Sequence, residues 1–291
     1  MAKKKEEKKS KVKEFQFYVL NIKITSDDAI TVDTYRGLFE NAFNKKQMGK
    51  ITVEHSGIIR QLFHDKELNC LHGLFCRFLK VGNQAMDIDS LEIVNYEISR
   101  NLFPNPKEAQ FVFFPDLHRV GIYKNSEISL SSIKKILMGI FNPKDVEQNM
   151  AVEVTIEQSI DEFNKILSAK EIRNVHIEIS PSNADINKAA TAFIDNDLKS
   201  SSIGKLATDI QPDSSGKLKI DKGKVLQGML GLAQSNGRAI ATIINEQEKK
   251  ETINTEEHPS IFKVSSDSVE KARVSLYNTL KKRFRDAKRS S

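Results

Sequence analysis

A chain of 291 residues, 39% hydrophobic and 29% charged, has the apolar side chains for a sizeable core and too many of them to stay unfolded. Its apolar runs fall short of the roughly 18 residues a membrane span needs, and its two cysteines are too few for a disulfide framework. The net charge of +6 sits at the ends: residues 3–13 hold seven lysines and two glutamates, residues 281–289 hold six basic residues and one aspartate, and +5 at each end leaves about −4 for the body.

These features read as a cytoplasmic protein with no membrane partner. The basic leader lacks the apolar segment that would make it a signal peptide. In chain order, "FQFYVLNIKI" (15–24) is apolar on both parities, as a central strand would be. Val32, Tyr35, Leu38, Phe39, Ala42 and Phe43 follow at helical spacing, predicting a helix over about 33–46. "ITVEHSGIIRQLF" and "NCLHGLFCRFLKV" read as antiparallel strands joined by "HDKEL". Segment 83–110 is mixed, and its "NLFPNP" is a loop by its prolines. "FVFF" (111–114) predicts a buried strand in the middle of a sheet, with "PDLHR" as the turn that lets "RVGIYKN" pair back.

The middle of the chain is patterned most clearly. Ile133, Ile136, Leu137, Ile140 and Phe141 make one apolar helical face, with Ser131 or Ser132 as the cap and Asn142-Pro143 as the stop. Residues 151–180 predict a strand–helix–strand unit: Val152, Val154 and Ile156 alternate, Ser159 and Glu162 form a capping-box pattern, and Val175, Ile177 and Ile179 alternate again. The other face of the two strands carries Glu153, Thr155, Glu157, Asn174, His176 and Glu178. Residues 184–199 have helical character, and the Ser-, Gly- and Pro-rich stretch 199–219 reads as a flexible loop or linker. A helix from about Asp221 ends at Asn236-Gly237, "RAIATII" and "KETINT" form a hairpin, and a last helix covers about 267–286.

The fold class expected is α+β: a mixed, mainly antiparallel sheet flanked by helices, with a C-terminal helix. Four parts are expected. They are a disordered basic leader (1–14), a main domain (15–198), the linker (199–219), and a helix–hairpin–helix part (220–291) packed on the main domain.

Chemistry is harder to read. None of the four Gly-Lys pairs has the spacing of a phosphate-binding loop, and no G-x-G-x-x-G follows a strand, so no nucleotide cofactor is expected. Asp116 has no downstream acid-x-Lys partner of the kind a metal nuclease needs. Cys70, His72 and Cys76 share a strand parity near His64, but their spacing matches no usual zinc site, and no metal is expected. His176 and Glu178 share a strand face, an arrangement that serves acid–base chemistry or a salt bridge. Asp116, His118 and Arg119 gather an acid, an imidazole and a guanidinium at one turn and are the candidate catalytic residues, against a purely structural role for the turn. Lys281, Lys282, Arg283, Arg285, Lys288 and Arg289 are the candidate nucleic-acid contacts, against a solvated helix end matched to the macrodipole.

"NLFPNPKEAQFVFFPDLHR", "VEVTIEQS", "VHIEISPSNAD" and "GLAQSNGRAIA…TINTEEHP" occur in an order that resembles an uncharacterised family of bacterial proteins of about this length. The resemblance spans about 15–263 and includes no catalytic signature. Some members are encoded near mobile elements and phage-defence genes, which implies a defence or toxin-like role. The expected function is a non-catalytic component of an anti-phage system that recognises nucleic acid, a phage protein or a protein encoded nearby. The alternatives are a toxin-like, metal-independent ribonuclease and a structural subunit of a defence complex.

Overall fold

A computed structural model describes residues 12–26, 28–96, 99, 101–143, 150–182, 189–214, 216, 218 and 224–284. The chain divides into two compact units, Leu20–Ile156 and the residues on either side of it, whereas composition suggested breaks near 14, 198 and 219. Strand β1 (Lys13–Ser26) lends its first half to one unit and its second half to the other.

In the unit 20–156, β1 is followed by α1 (Val32–Asn44), β2 (Gly49–Lys50), β3 (His55–Asp65) and β4 (Cys70–Leu79). A small hairpin of β5 (Gln84–Met86) and β6 (Ile93–Asn95) lies within the mixed segment. Then come β7 (Lys107–Phe114), β8 (Arg119–Tyr123), α2 (Leu130–Phe141) and β9 (Met150–Ile156). The sheet runs β9-β1-β8-β7-β4-β3-β2, with β9–β1, β8–β7, β7–β4, β4–β3 and β3–β2 antiparallel. "FVFF" is the buried central strand that its composition predicts: Phe111 to Phe114 are each at most 1% exposed. Helix α1 is pinned there by Phe39, whose ring stacks on Phe113 at 4.2 Å and meets Phe141 of α2 edge-on at 5.0 Å. Helix α2 is capped by Ser129, two or three residues earlier than the sequence suggests, because Ser129 Oγ takes the N–H of Ser132. Its stop at Asn142 is also a clamp: the Asn142 amide group exchanges two 2.8 Å hydrogen bonds with the Val152 backbone of β9.

The other unit holds α3 (Ile160–Leu167), β10 (Glu171–Ile179), α4 (Ala189–Ser200), β11 (Leu206–Ile210), α5 (Lys224–Asn236), β12 (Gly237–Ile244) and β13 (Lys250–Asn254). A short turn of 3-10 helix at Thr255–Glu257 leads to β14 (Ile261–Ser266) and α6 (Val269–Phe284). The first half of β1 pairs antiparallel with β14. A separate antiparallel sheet runs β11-β10-β12-β13. One face of it carries the core, with Val175, Ile177, Ile179, Ala239, Ala241 and Ile243 clustered with Phe163 and Ile166 of α3, Ile194 and Leu198 of α4, and Leu226 and Leu230 of α5.

Three expectations change. Residues 206–210, inside the stretch read as a loop, are strand β11, hydrogen-bonded along β10 from Val175 to Ile179. The strand–helix–strand succession at 151–180 is present, but its strands serve different sheets: β9 pairs with β1, and β10 with β11 and β12. Ser159 does cap α3, through the N–H of Asp161, while Glu162 pairs instead with Lys165 at 2.7 Å.

Candidate functional site

Among the described residues, α3, α4 and α5 pack against one face of the sheet β11-β10-β12-β13, and on its other face the strand register assembles a charged cluster. Glu178 of β10 lies directly across from Arg238 of β12, and His176 directly across from Asp209 of β11. Arg238 Nη2 donates to Glu178 Oε1, and its Nη1 donates to Glu256 Oε2 at 3.2 Å. Lys205 Nζ reaches the second Glu178 oxygen at 2.9 Å. The His176 ring lies between two carboxylates, Nδ1 at 2.7 Å from Asp209 Oδ1 and Nε2 at 3.4 Å from Glu178 Oε1. All six side chains reach solvent, from 18% exposed at Glu178 to 77% at Asp209.

These contacts favour the charged forms of Glu178, His176 and Arg238. The Arg238 hydrogen bond, assisted by Lys205 and His176, holds the Glu178 carboxyl down at about 2. Asp209, and then Glu178, raise the His176 imidazole above its ordinary value. Arg238 is likewise pushed up by Glu178. With His176 protonated, three cations face three carboxylates. A carboxylate this acidic is a weak general base, and an imidazolium bound at both nitrogens is not poised to take a proton. The pair His176–Glu178 therefore reads as a rung of an ion-pair ladder.

Two consequences are measurable. A depressed carboxyl contributes stability that is complete above its unfolded value and is lost as pH falls through the folded one. Denaturation of wild type and Glu178→Gln between pH 7 and pH 2 should show a deficit of about 1–3 kcal/mol in the variant at neutrality, shrinking below about pH 4.5. A raised imidazole works in the opposite direction. Its contribution is complete below about 6.5 and is lost as pH rises through the higher folded value, so the His176 ring protons should titrate above 6.5 by NMR and move back toward it in Asp209→Asn.

The turn at 115–119 is built differently from the site that its residue types suggest. Leu117 N–H and His118 N–H return to the carbonyls of Phe114 and Pro115, and His118 takes a left-handed φ of 56°. Its ring stacks on Tyr35 of α1 at 4.0 Å, and its carbonyl accepts the Ile22 N–H of β1. The Arg119 side chain points into the protein, 1% exposed, with Nη1 donating to Asn21 Oδ1 and to the Leu117 carbonyl. Asp116 is half-buried. A phosphate approaching from solvent meets His118 and Asp116 but not the guanidinium.

Of the C-terminal basic residues, Lys281 lies over the Tyr277 ring, Arg283 over Phe262 and Phe284, and Lys282 is exposed. Arg285, Lys288 and Arg289 lie outside the described residues. Cys70 and Cys76 are buried thiols, and burial pushes Cys76 up, away from the thiolate a metal takes. Among the described residues, no three His, Cys, Asp or Glu side chains are grouped to hold a metal, and no helix is long and apolar enough to cross a membrane.

Sequence reasoning finds His176 and Glu178 through their i, i+2 spacing on a strand. It misses Lys205, Asp209 and Glu256, which only the strand register and the turn after β13 bring to them. It also misses a buried anchor beneath α4. Asp195, 4% exposed, accepts from Ser182 Oγ at 2.7 Å and from Lys199 Nζ at 2.6 Å, tying the end of β10 to that helix.

A family model described as a domain of unknown function, DUF4747, matches residues 13–282. No curated protein matches the sequence.

Proposed function

Since the chain belongs to the DUF4747 family, we propose that it is a non-catalytic recognition component of a bacterial anti-phage defence system, and that its target is a protein surface. The recognition reading is carried by the charged face of the sheet β11-β10-β12-β13. Six titratable side chains are held there in fixed positions by one another while remaining in contact with solvent. Preorganised charge of this kind gives specificity without a further ordering cost on binding. The balance of the face favours a protein: Glu178 and Glu256 already neutralise Arg238 and Lys205, whereas a phosphate backbone is bound by cations that it must itself neutralise. The defence context is supported by the sequence resemblance.

A nucleic-acid target rests on a separate observation, the exposed Lys282 at the end of α6 and the basic run that continues from it. Two assays separate the readings. Deletion of the gene should raise phage plating, and purified protein should show no salt-sensitive affinity for DNA or RNA. Binding that falls steeply with salt and is lost in Lys281→Ala/Lys282→Ala/Arg283→Ala would replace the protein target by a nucleic acid. Unchanged plating on deletion would remove the defence role.

A further inference from the structure

The β5–β6 hairpin is unlike the rest of its unit. Every residue from Gly82 to Asn95 is exposed, yet the segment is rich in large apolar side chains: Met86 57%, Ile88 74%, Leu91 70% and Ile93 67% exposed. Met86 and Ile93 are cross-strand partners, so they stand on one face. A two-stranded hairpin without a core is marginal in water, and this one is held by its tip. Asp87 Oδ1 accepts the N–H groups of Asp89 at 2.9 Å and Ser90 at 3.1 Å, while Asp87 N–H donates to the Glu92 carbonyl at 2.9 Å. Leu91 sits in the left-handed region with φ 60°, a conformation that costs a bulky residue energy and that Asn or Gly would adopt more easily. A strained leucine kept at an exposed tip points to a role outside the folded chain. The charge is as one-sided as the apolar character: residues 81–96 hold Asp87, Asp89 and Glu92 and no lysine, arginine or histidine.

We infer that this hairpin is a docking finger for a partner protein that presents an apolar cleft rimmed by lysine or arginine. The three carboxylates set the sign of the rim, repel nucleic acid and anionic lipid, and oppose pairing with the same hairpin of a second copy. This surface is additional to the charged sheet face and does not depend on its role.

The probe is a fluorescent amphipathic peptide of leucine and lysine, titrated into the full chain by anisotropy beside a matched peptide of leucine and glutamate. The lysine peptide should bind in a salt-sensitive way, and the glutamate peptide should not. Affinity should fall at least tenfold in Ile88→Ser/Leu91→Asn and in Asp89→Asn/Glu92→Gln. The thermal midpoint of the first variant should be unchanged or higher, because asparagine accepts the left-handed backbone. Equal binding of the two peptides, unchanged affinity in either variant, or a wild-type dimer in sedimentation velocity that the variants lose would overturn the assignment, the last in favour of a second copy as occupant.

Discussion

Replacing Arg119 with alanine is expected to lower the stability of the unit 20–156 by about 3–5 kcal/mol, and its thermal midpoint by about 10 °C, with no specific loss of a binding or catalytic activity beyond that unfolding. The guanidinium is 1% exposed and donates to Asn21 of β1 and to the Leu117 carbonyl, so its removal opens a cavity and takes away two buried hydrogen bonds. Asn21→Leu should be similarly severe, because it withdraws a partner from a buried cation. Arg119→Met should be milder than either, since it fills the space and removes the charge together. Urea denaturation of the three variants separates this structural role from the candidate catalytic one. A functional Arg119 would give near wild-type stability in all three.

Gly237→Ala is expected to cost about 3 kcal/mol or more. A Cβ at Gly237 would stand 1.9 Å from the Glu178 carbonyl oxygen and 3.0 Å from the Ile179 Cα, and both are backbone atoms that cannot swing aside. The sequence reads Asn236-Gly237 as a helix stop of the left-handed kind, but Gly237 does not have that φ. Helix α5 passes directly into β12, and the glycine is there because β10 runs too close for a side chain. The two explanations diverge on Gly237→Asn. A left-handed cap would tolerate asparagine, whereas a close backbone approach makes it at least as damaging as alanine. Because Arg238 is the next residue, the same clash should displace its guanidinium from Glu178. The stability that Glu178 contributes above about pH 4.5 should shrink along with it.

Most strands and helices could be read from periodicity because each buries one face, and the alternation at 151–156 and 175–179 survives in the burial of Val152, Val154, Val175, Ile177 and Ile179. Strand β11 was obscured by composition. Leu206, Thr208 and Ile210 do alternate with more exposed Ala207 and Asp209, but serine, glycine and proline crowd both sides and suggest a loop. The N-cap of α2 lay among four nearby serines, 126, 129, 131 and 132, which the sequence alone does not rank. The site was most legible where neighbours in space are also neighbours in sequence. His176 and Glu178 are two residues apart, but Arg238 is 60 positions from Glu178, and only the pairing of β10 with β12 brings them together. At 116–119 the sequence left two readings open, a site and a structural turn. An acid, an imidazole and a guanidinium close in sequence resemble a site, and nothing in their identity shows that the arginine turns inward to close the base of a hairpin.

We propose that the charged face of the sheet β11-β10-β12-β13 is the recognition surface of a defence protein. Its most direct test is phage plating on cells that carry the intact locus with the chain either wild type or His176→Gln/Arg238→Gln. Both side chains are about one-third exposed, so the double variant should stay folded, with its thermal midpoint confirmed on purified protein. Loss of protection to the level of the gene deletion, with the fold retained, is the predicted result. Protection equal to wild type in the folded double variant would contradict it.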